Sequence, residues 1–447
     1  MASTYITRVD TTNGNRKVWT WSAWVKRDVL GVVEHNMFSA GGNNVDEGQF
    51  KFSSDQLSFF NDYATTGRVS ATQPSKKFRD TNGWYHFVWR HKVDETSNDD
   101  RWKIYINGER LQPSDYGSPT IPNEEGVYNR FTNKQMWFGA RAKAQYDSSY
   151  QYFSGLMSHI HFCDGYAYDA SDFGETDATT GEWKIKTSPN VQYGSKGFFI
   201  LKDGNSVTDQ SGNGNNCTVA GGTLTKTEDC PSNVFATWNT LANTGLSLQN
   251  GNTYTVYASN DHNCKTTLGM NSGKYYWEMK PNGVSGTVTG ICRDTTKQQA
   301  DISNTSGEHV YAMQYNSGNV SYKTNGTFTA SSSWGTYVSG DIIQYAYDAD
   351  NGKLFIGKNG TYKDFSGNTG DPANGTYPTF SSLDTNATWF PFIEMRGGSE
   401  NNYWNFGNGY FGTTAVSSAG TNASGIGIFE YDVPTGYTAL STKGLNE

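Results

Sequence analysis

Cysteine, proline, charge and long apolar runs are all scarce in this chain, and each scarcity excludes something. Its five cysteines, Cys163, Cys217, Cys230, Cys264 and Cys292, are odd in number and form no CxxC pair. Zinc-ribbon and redox-motif chemistry are thereby removed, and a chain of 447 residues needs no disulfide staples, so free structural thiols are expected. No run of about 18 apolar residues occurs, which excludes a membrane-spanning helix. The opening MASTYITRVD lacks the basic-then-apolar order of a secretory signal, so folding in a cytoplasm is expected. Charged residues make up only 17%, and the net charge of −8 is spread along the chain. Nucleic acid is therefore not expected as a partner. Nowhere do a dozen residues sustain an apolar period of about 3.6, so helices are not expected to build the fold.

What is abundant is glycine, at 50 residues, and aromatics, at 15%, against 11 prolines. Short Val/Ile/Tyr/Phe/Trp runs alternate with Asn-Gly, Ser-Gly and Asp-Gly steps, the pattern of an all-β protein. In the stretch WTWSAWVKR (19–27), alternation puts Trp19, Trp21, Ala23 and Val25 on one face of a strand. That face is wholly apolar and is assigned to the core, leaving Trp24 toward an outer layer or another subunit. NGWYHFVWRHK (82–92) divides the same way, with Tyr85, Phe87, Trp89 and His91 together. RWKIYINGERL (101–111) is a hairpin turning at Asn107-Gly108. A second β-rich unit follows, in which a strand, Asp348-Ala349-Asp350-Asn351-Gly352 and a further strand lead to a turn at Asn359-Gly360. Residues 426–447 read as an irregular closing segment. Two antiparallel β-sandwiches in tandem, 1–228 and 229–447, are the expected architecture.

Six ordered pieces, WTWSAWVKR, NGWYHFVWRHK, WKIYINGERL, MWFGAR, FSGLMSHIHFCDGYAYD and DQSGNGNN, make the first unit resemble a laminin-G or concanavalin-A-like jelly roll. In the second, SGKYYWEMK, VSGDIIQYAYDADNGKLFIGKNG, FPFIEM and YWNFGNGYF resemble the landmarks of a SPRY-type sandwich. The pairing of the two through DCPSNVFATWN, with the closing DVPTGYTALSTKGL, resembles virion proteins of marine bacteriophages. The resemblance implies a phage surface, appendage or fibre protein.

Chemistry is sparser. A glycan hydrolase needs two carboxylates roughly 5 to 9 Å apart across the scissile bond. The nearest pattern is GETDATTGE (174–182), where Glu175 and Asp177 alternate, but Glu182 lies too far on and the stretch reads as a loop. No G-x-S-x-G elbow accompanies the histidines, so no enzymatic activity is expected. Asp203, Asp209 and Asn213 offer oxygens near the DQSGNGNN turn to a hard cation such as Ca²⁺, and Asx-turns account for them equally well. The better candidates are aromatics in polar loops: Tyr146, Tyr150 and Tyr152 in AKAQYDSSYQY, and Trp334 and Tyr337 in ASSSWGTYVSG. Each joins an apolar ring to a polar edge, suiting sugar rings and protein epitopes, though such rings also serve to cover a sheet end. The expectation is a virion-surface adhesin, oligomeric, binding a host-surface glycan or receptor beside other virion proteins. The alternative is a capsid-decoration or tail-assembly protein.

Overall fold

The computed structural model describes residues 4–41, 47–63, 67–73, 75–123, 134–141, 151–202, 206–257, 261–283, 286–316, 319–331, 333–397 and 400–446. It divides into two compact units, Met1–Lys226 and Thr227–Glu447. Both are built from antiparallel sheets; helix is confined to single turns such as Asn98–Arg101.

In the first unit, Val18–Arg27 pairs with Gly155–Asp164 on one side and Tyr85–Lys92 on the other, at the centre of a six-stranded sheet. A seven-stranded sheet contains Tyr5–Val9, Gln135–Phe138, Glu34–Gly41, Glu47–Ser53 and Gln56–Tyr63. Alternation sorts the central strand as expected. Trp19, Trp21, Ala23 and Val25 join the main core, where Trp21 stacks on Phe38 at 5.4 Å and meets Phe50 edge-on at 5.0 Å. Phe87 and Trp89 enter the same core, and Trp102 Nε1 donates to His91 Nδ1 at 3.0 Å inside it. The turn forms at Asn107 (φ 48°) and Gly108 (φ 83°), the double left-handed geometry that Asn-Gly favours.

The outer face of the six-stranded sheet is covered as well. Residues 165–197 fold across it, so that Val88, Tyr105 and Cys163 pack against Ala170, Phe173 and Val191. Trp24 belongs to this layer, stacked on His86 at 4.8 Å. His161 stacks on Phe199 at 4.0 Å and shares a hydrogen bond with the Tyr193 hydroxyl at 2.9 Å. All five cysteines are free thiols, and burial pushes Cys217 up to about 12.

The second unit pairs a seven-stranded sheet with a larger one centred on Lys274–Asn282. Trp277 stacks on Tyr345 at 5.3 Å, and Trp238 meets Trp404 edge-on at 4.8 Å in its core. The closing segment is irregular except at Thr438–Ala439, which adds in parallel to Tyr275–Tyr276. Its Phe429, Val433 and Tyr437 cover Tyr276, Ala346, Phe355 and Tyr362 on the outer face of the larger sheet. Beneath them the buried Glu278 carboxylate accepts from Glu430 N, Tyr431 N, the Tyr276 hydroxyl and Asn405 Nδ2, at 2.8 to 3.4 Å.

Candidate functional site

Among the described loop aromatics, Trp334 and Tyr337 are withdrawn from the surface. Trp334 and Tyr337 are 3% and 2% exposed and sit in the core of the second unit. Trp334 Nε1 donates to Ile356 O at 3.3 Å. The expectation that they face a ligand is corrected: their stretch turns its rings inward, and Val338 is the exposed apolar residue beside them. Tyr146 and Tyr150 lie outside the described residues, as does Asp203. Tyr152 is half-buried, 6.0 Å from Tyr5 in a small cluster with Trp137.

Asp209 and Asn213 are turn organisers. The Asp209 carboxylate accepts from Phe199 N, Ser211 N, Ser211 Oγ and Asn215 N, all at 2.8 or 2.9 Å. The Asn213 amide donates to the carbonyls of Gly194 and Gly197 at 2.6 and 3.0 Å. A cation would have to displace four donors from Asp209, so the Asx-turn alternative is the one the geometry favours. Millimolar Ca²⁺ is expected to leave the melting temperature unchanged, whereas Asp209→Ala should cost about 2–3 kcal/mol, the usual penalty for buried donors left unpaired. Calorimetry with and without the ion checks both. Among the described residues no cluster of three or more His, Cys, Asp or Glu side chains has the arrangement of a metal site.

GETDATTGE is a turn over 177–182, as expected, but its first three residues are strand. Gly174–Thr176 pairs with Trp183–Ile185 as a short hairpin, which the abundance of turn formers concealed. Asp177 caps its turn by accepting from Thr179 N and Thr180 N, and with Lys184 close by these bonds hold its carboxyl down to about 2. Glu175 faces Lys184 at 3.4 Å. Asp177 and Glu175 are engaged in turn and ion-pair roles.

The hairpin instead delivers Trp183 to the edge of an open groove of about 540 Å³. Lys76, Lys77, Phe78, Trp84 and Tyr85 form one part of its lining, and Ile106, Asn107, Glu109, Glu182 and Trp183 the other. Trp183 is held rigidly. Its Nε1 donates to His86 Nδ1 at 3.0 Å, and the rings lie 19° from parallel at 6.0 Å. A Cβ at Gly108 or at Gly174 would come within 2.5 Å of the indole, so the ring rests on backbone at both places. Beneath it, His86 shares its other nitrogen with Ser22 Oγ at 2.9 Å. With Nδ1 accepting, the imidazole is neutral and protonated at Nε2; burial, with His159 nearby, holds its pKa down to about 3. The rim is charged but unspent: Lys76, Glu109 and Glu182 form no ion pair among the described residues. Nothing in the local sequence marked this site beyond a tryptophan isolated in the polar run Gly-Glu-Trp-Lys.

Residues 2–169 match the family model of the concanavalin A-like lectin/glucanases superfamily, Laminin_G_3. The first unit has a laminin-G-type, concanavalin A-like sandwich fold. Solved structures similar to the chain include the SPRY domain of human HERC1, at 16% identity over 37% of this chain and 96% of that one, with a TM-score of 0.29. The TRIM65 PSpry domain aligns at 14% identity over 38% of this chain and 91% of that one, also with a TM-score of 0.29. Domains LG4-5 of the mouse laminin α1 chain align at 8% identity, covering 89% of this chain and 84% of that one, with a TM-score of 0.28. No curated protein matches the chain.

Proposed function

We propose that this is a non-catalytic virion-surface protein of a phage, which attaches to host-surface glycan through the Trp183 groove of its first sandwich. The observation that carries the glycan reading is the immobilised indole beside uncommitted charged side chains. A sugar presents an apolar C–H face and a ring of hydroxyls, and it is held by an aromatic platform with a few polar groups around it. Trp183 supplies the platform already ordered, so little side-chain entropy remains to be lost on binding. Asn107, Lys76, Glu109 and Glu182 supply donors and acceptors for hydroxyls. The virion setting rests on the sequence resemblance of the paired sandwiches and their closing segment.

Binding of the purified protein to intact host cells and extracted surface polysaccharide tests the reading. Trp183→Ala is expected to weaken saturable binding by about tenfold or more, consistent with 1–2 kcal/mol for a lost stacking contact. Because Trp183 also partners His86, Glu109→Ala and Glu182→Ala should be measured beside it, since these exposed changes spare the fold. Full-strength binding by all three variants would rule the groove out. If the protein binds no cell or glycan yet attaches to particles lacking it, the decoration role replaces attachment.

A further inference from the structure

A second recess lies in the other unit and has different chemistry. Tyr254, Tyr403 and Lys280 come from three adjacent strands, Tyr254–Val256, Asn401–Asn405 and Lys274–Asn282, and fall in one row across them. Cross-strand pairing puts Tyr254 opposite Tyr403, and Tyr403 opposite Lys280. Neighbours in the same register share a face of the sheet. The two phenol rings stack at 4.3 Å and 13°. Met279 and Trp404, one residue along, point the other way into the core.

The hairpin of Tyr410–Phe411 and Thr414–Ala415 walls the recess. Gly412 at its turn has φ 66°, and a Cβ there would stand 2.7 Å from the Tyr403 ring, so glycine lets the hairpin close against the phenol. A volume of about 160 Å³ remains, lined by Asn250, Tyr254, Lys280, Tyr403, Phe411, Thr413 and Thr414. That is room for one sugar ring and too little for a chain of them.

Four of the residues lining this space are polar or charged. The Asn250 amide, the Thr413 and Thr414 hydroxyls and the Lys280 ammonium have no hydrogen-bond or ion-pair partner among the described residues. Lys280 is half-buried with its Nζ 5.7 Å from the Phe411 ring centroid, and no carboxylate lines the recess. One cation, three neutral hydrogen-bonding side chains and an aromatic wall select an anion that also carries hydroxyls and an apolar face. We propose that this recess is a second carbohydrate site, independent of the Trp183 groove, that takes a single carboxylate-bearing sugar with its carboxylate on Lys280. Thr413, Thr414 and Asn250 meet the ring hydroxyls, and the tyrosine pair meets the ring.

The test is titration of the full chain with sodium glucuronate, followed by NMR at the threonine methyls and by calorimetry. Glucose and acetate serve as the two halves of the ligand. Glucuronate is expected to bind at least tenfold more tightly than either, and to weaken severalfold in high salt because the lysine–carboxylate pair is partly exposed. Lys280→Ala should lose tenfold or more, and Lys280→Arg should retain binding; both side chains lie on the sheet surface, and an unchanged melting temperature shows that the fold is intact. Acetate binding as tightly as glucuronate would overturn the proposal in favour of a plain anion site. Undiminished glucuronate binding by Lys280→Ala, or no binding by the wild type, would overturn it outright.

Discussion

Acidification from about pH 7.5 to pH 5 is expected to destabilise the first unit by about 6 kcal/mol or more while sparing the second. Four buried histidines of the first unit are held neutral. Burial pushes His86 and His91 down to about 3 and His35 to about 4, and it takes His161 well below the ordinary value of 6.5. The hydrogen bonds agree, since Trp183 and Trp102 donate to the Nδ1 atoms of His86 and His91. Below pH 6.5 each of these histidines is protonated in the unfolded chain and still neutral in the folded one. The unfolded state therefore binds more protons, and stability falls as pH falls. At about 1.4 kcal/mol per pH unit, His86, His91 and His35 each contribute a loss of about 2 kcal/mol at pH 5. The three together reach about 6 kcal/mol, a large part of the total stability of an ordinary domain, about 5–15 kcal/mol, and His161 acts in the same direction. The histidines of the second unit, His262 and His309, are only half-buried.

Glu278 works in the opposite direction in that unit. Burial pushes its carboxyl from 4.5 up to about 7, and four donors keep it from rising further. A raised carboxyl holds its proton in the folded state, so its contribution is fully present below pH 4.5 and is lost as pH rises through about 7. Scanning calorimetry across this range should show the first transition moving down on acidification and the second holding or rising. Two transitions that fall together would contradict the assignment.

Glu278→Ala is expected to destabilise the second unit by about 4 kcal/mol or more. The change strands Glu430 N, Tyr431 N, the Tyr276 hydroxyl and Asn405 Nδ2. A buried donor left without an acceptor costs about 1–3 kcal/mol. Two of the four donors are backbone groups of the closing segment, so the loss falls on its docking, and hydrogen exchange in residues 426–440 should accelerate. Glu278→Gln keeps the shape but turns an NH₂ toward donors. It should cost about 2 kcal/mol, the range for one mismatched buried pair, and abolish the pH dependence from this position. Urea unfolding measures both. A loss under about 1 kcal/mol for Glu278→Ala would mean that Phe429, Val433 and Tyr437 hold the segment by apolar contact alone.

Local pattern was enough wherever a strand's faces or a tight turn were at stake. The period of two in WTWSAWVKR assigned Trp19 and Trp21 to the core, because successive side chains of a strand cannot share a face. Asn107-Gly108 and Asn359-Gly360 marked hairpins because both residues must enter left-handed backbone, which few other pairs tolerate. Those two signals, repeated along the chain, determine an all-β fold of closely spaced strands without reference to any distant residue.

The sites were decided at longer range. Trp334 and Tyr337 sit among polar neighbours in sequence, yet the core of the second unit takes both rings, a choice that depends on what packs over them. Trp183 is held at the groove edge because Gly108 and Gly174, distant from each other in sequence, leave room for the indole and His86 supplies an acceptor. Lys280 met Tyr254 and Tyr403 only through the pairing register of three strands. Alternation and turn chemistry act over a few bonds and can be read one segment at a time. Burial, hydrogen-bond partnership and pKa depend on which remote segments share a volume, and only the tertiary structure brings those segments together.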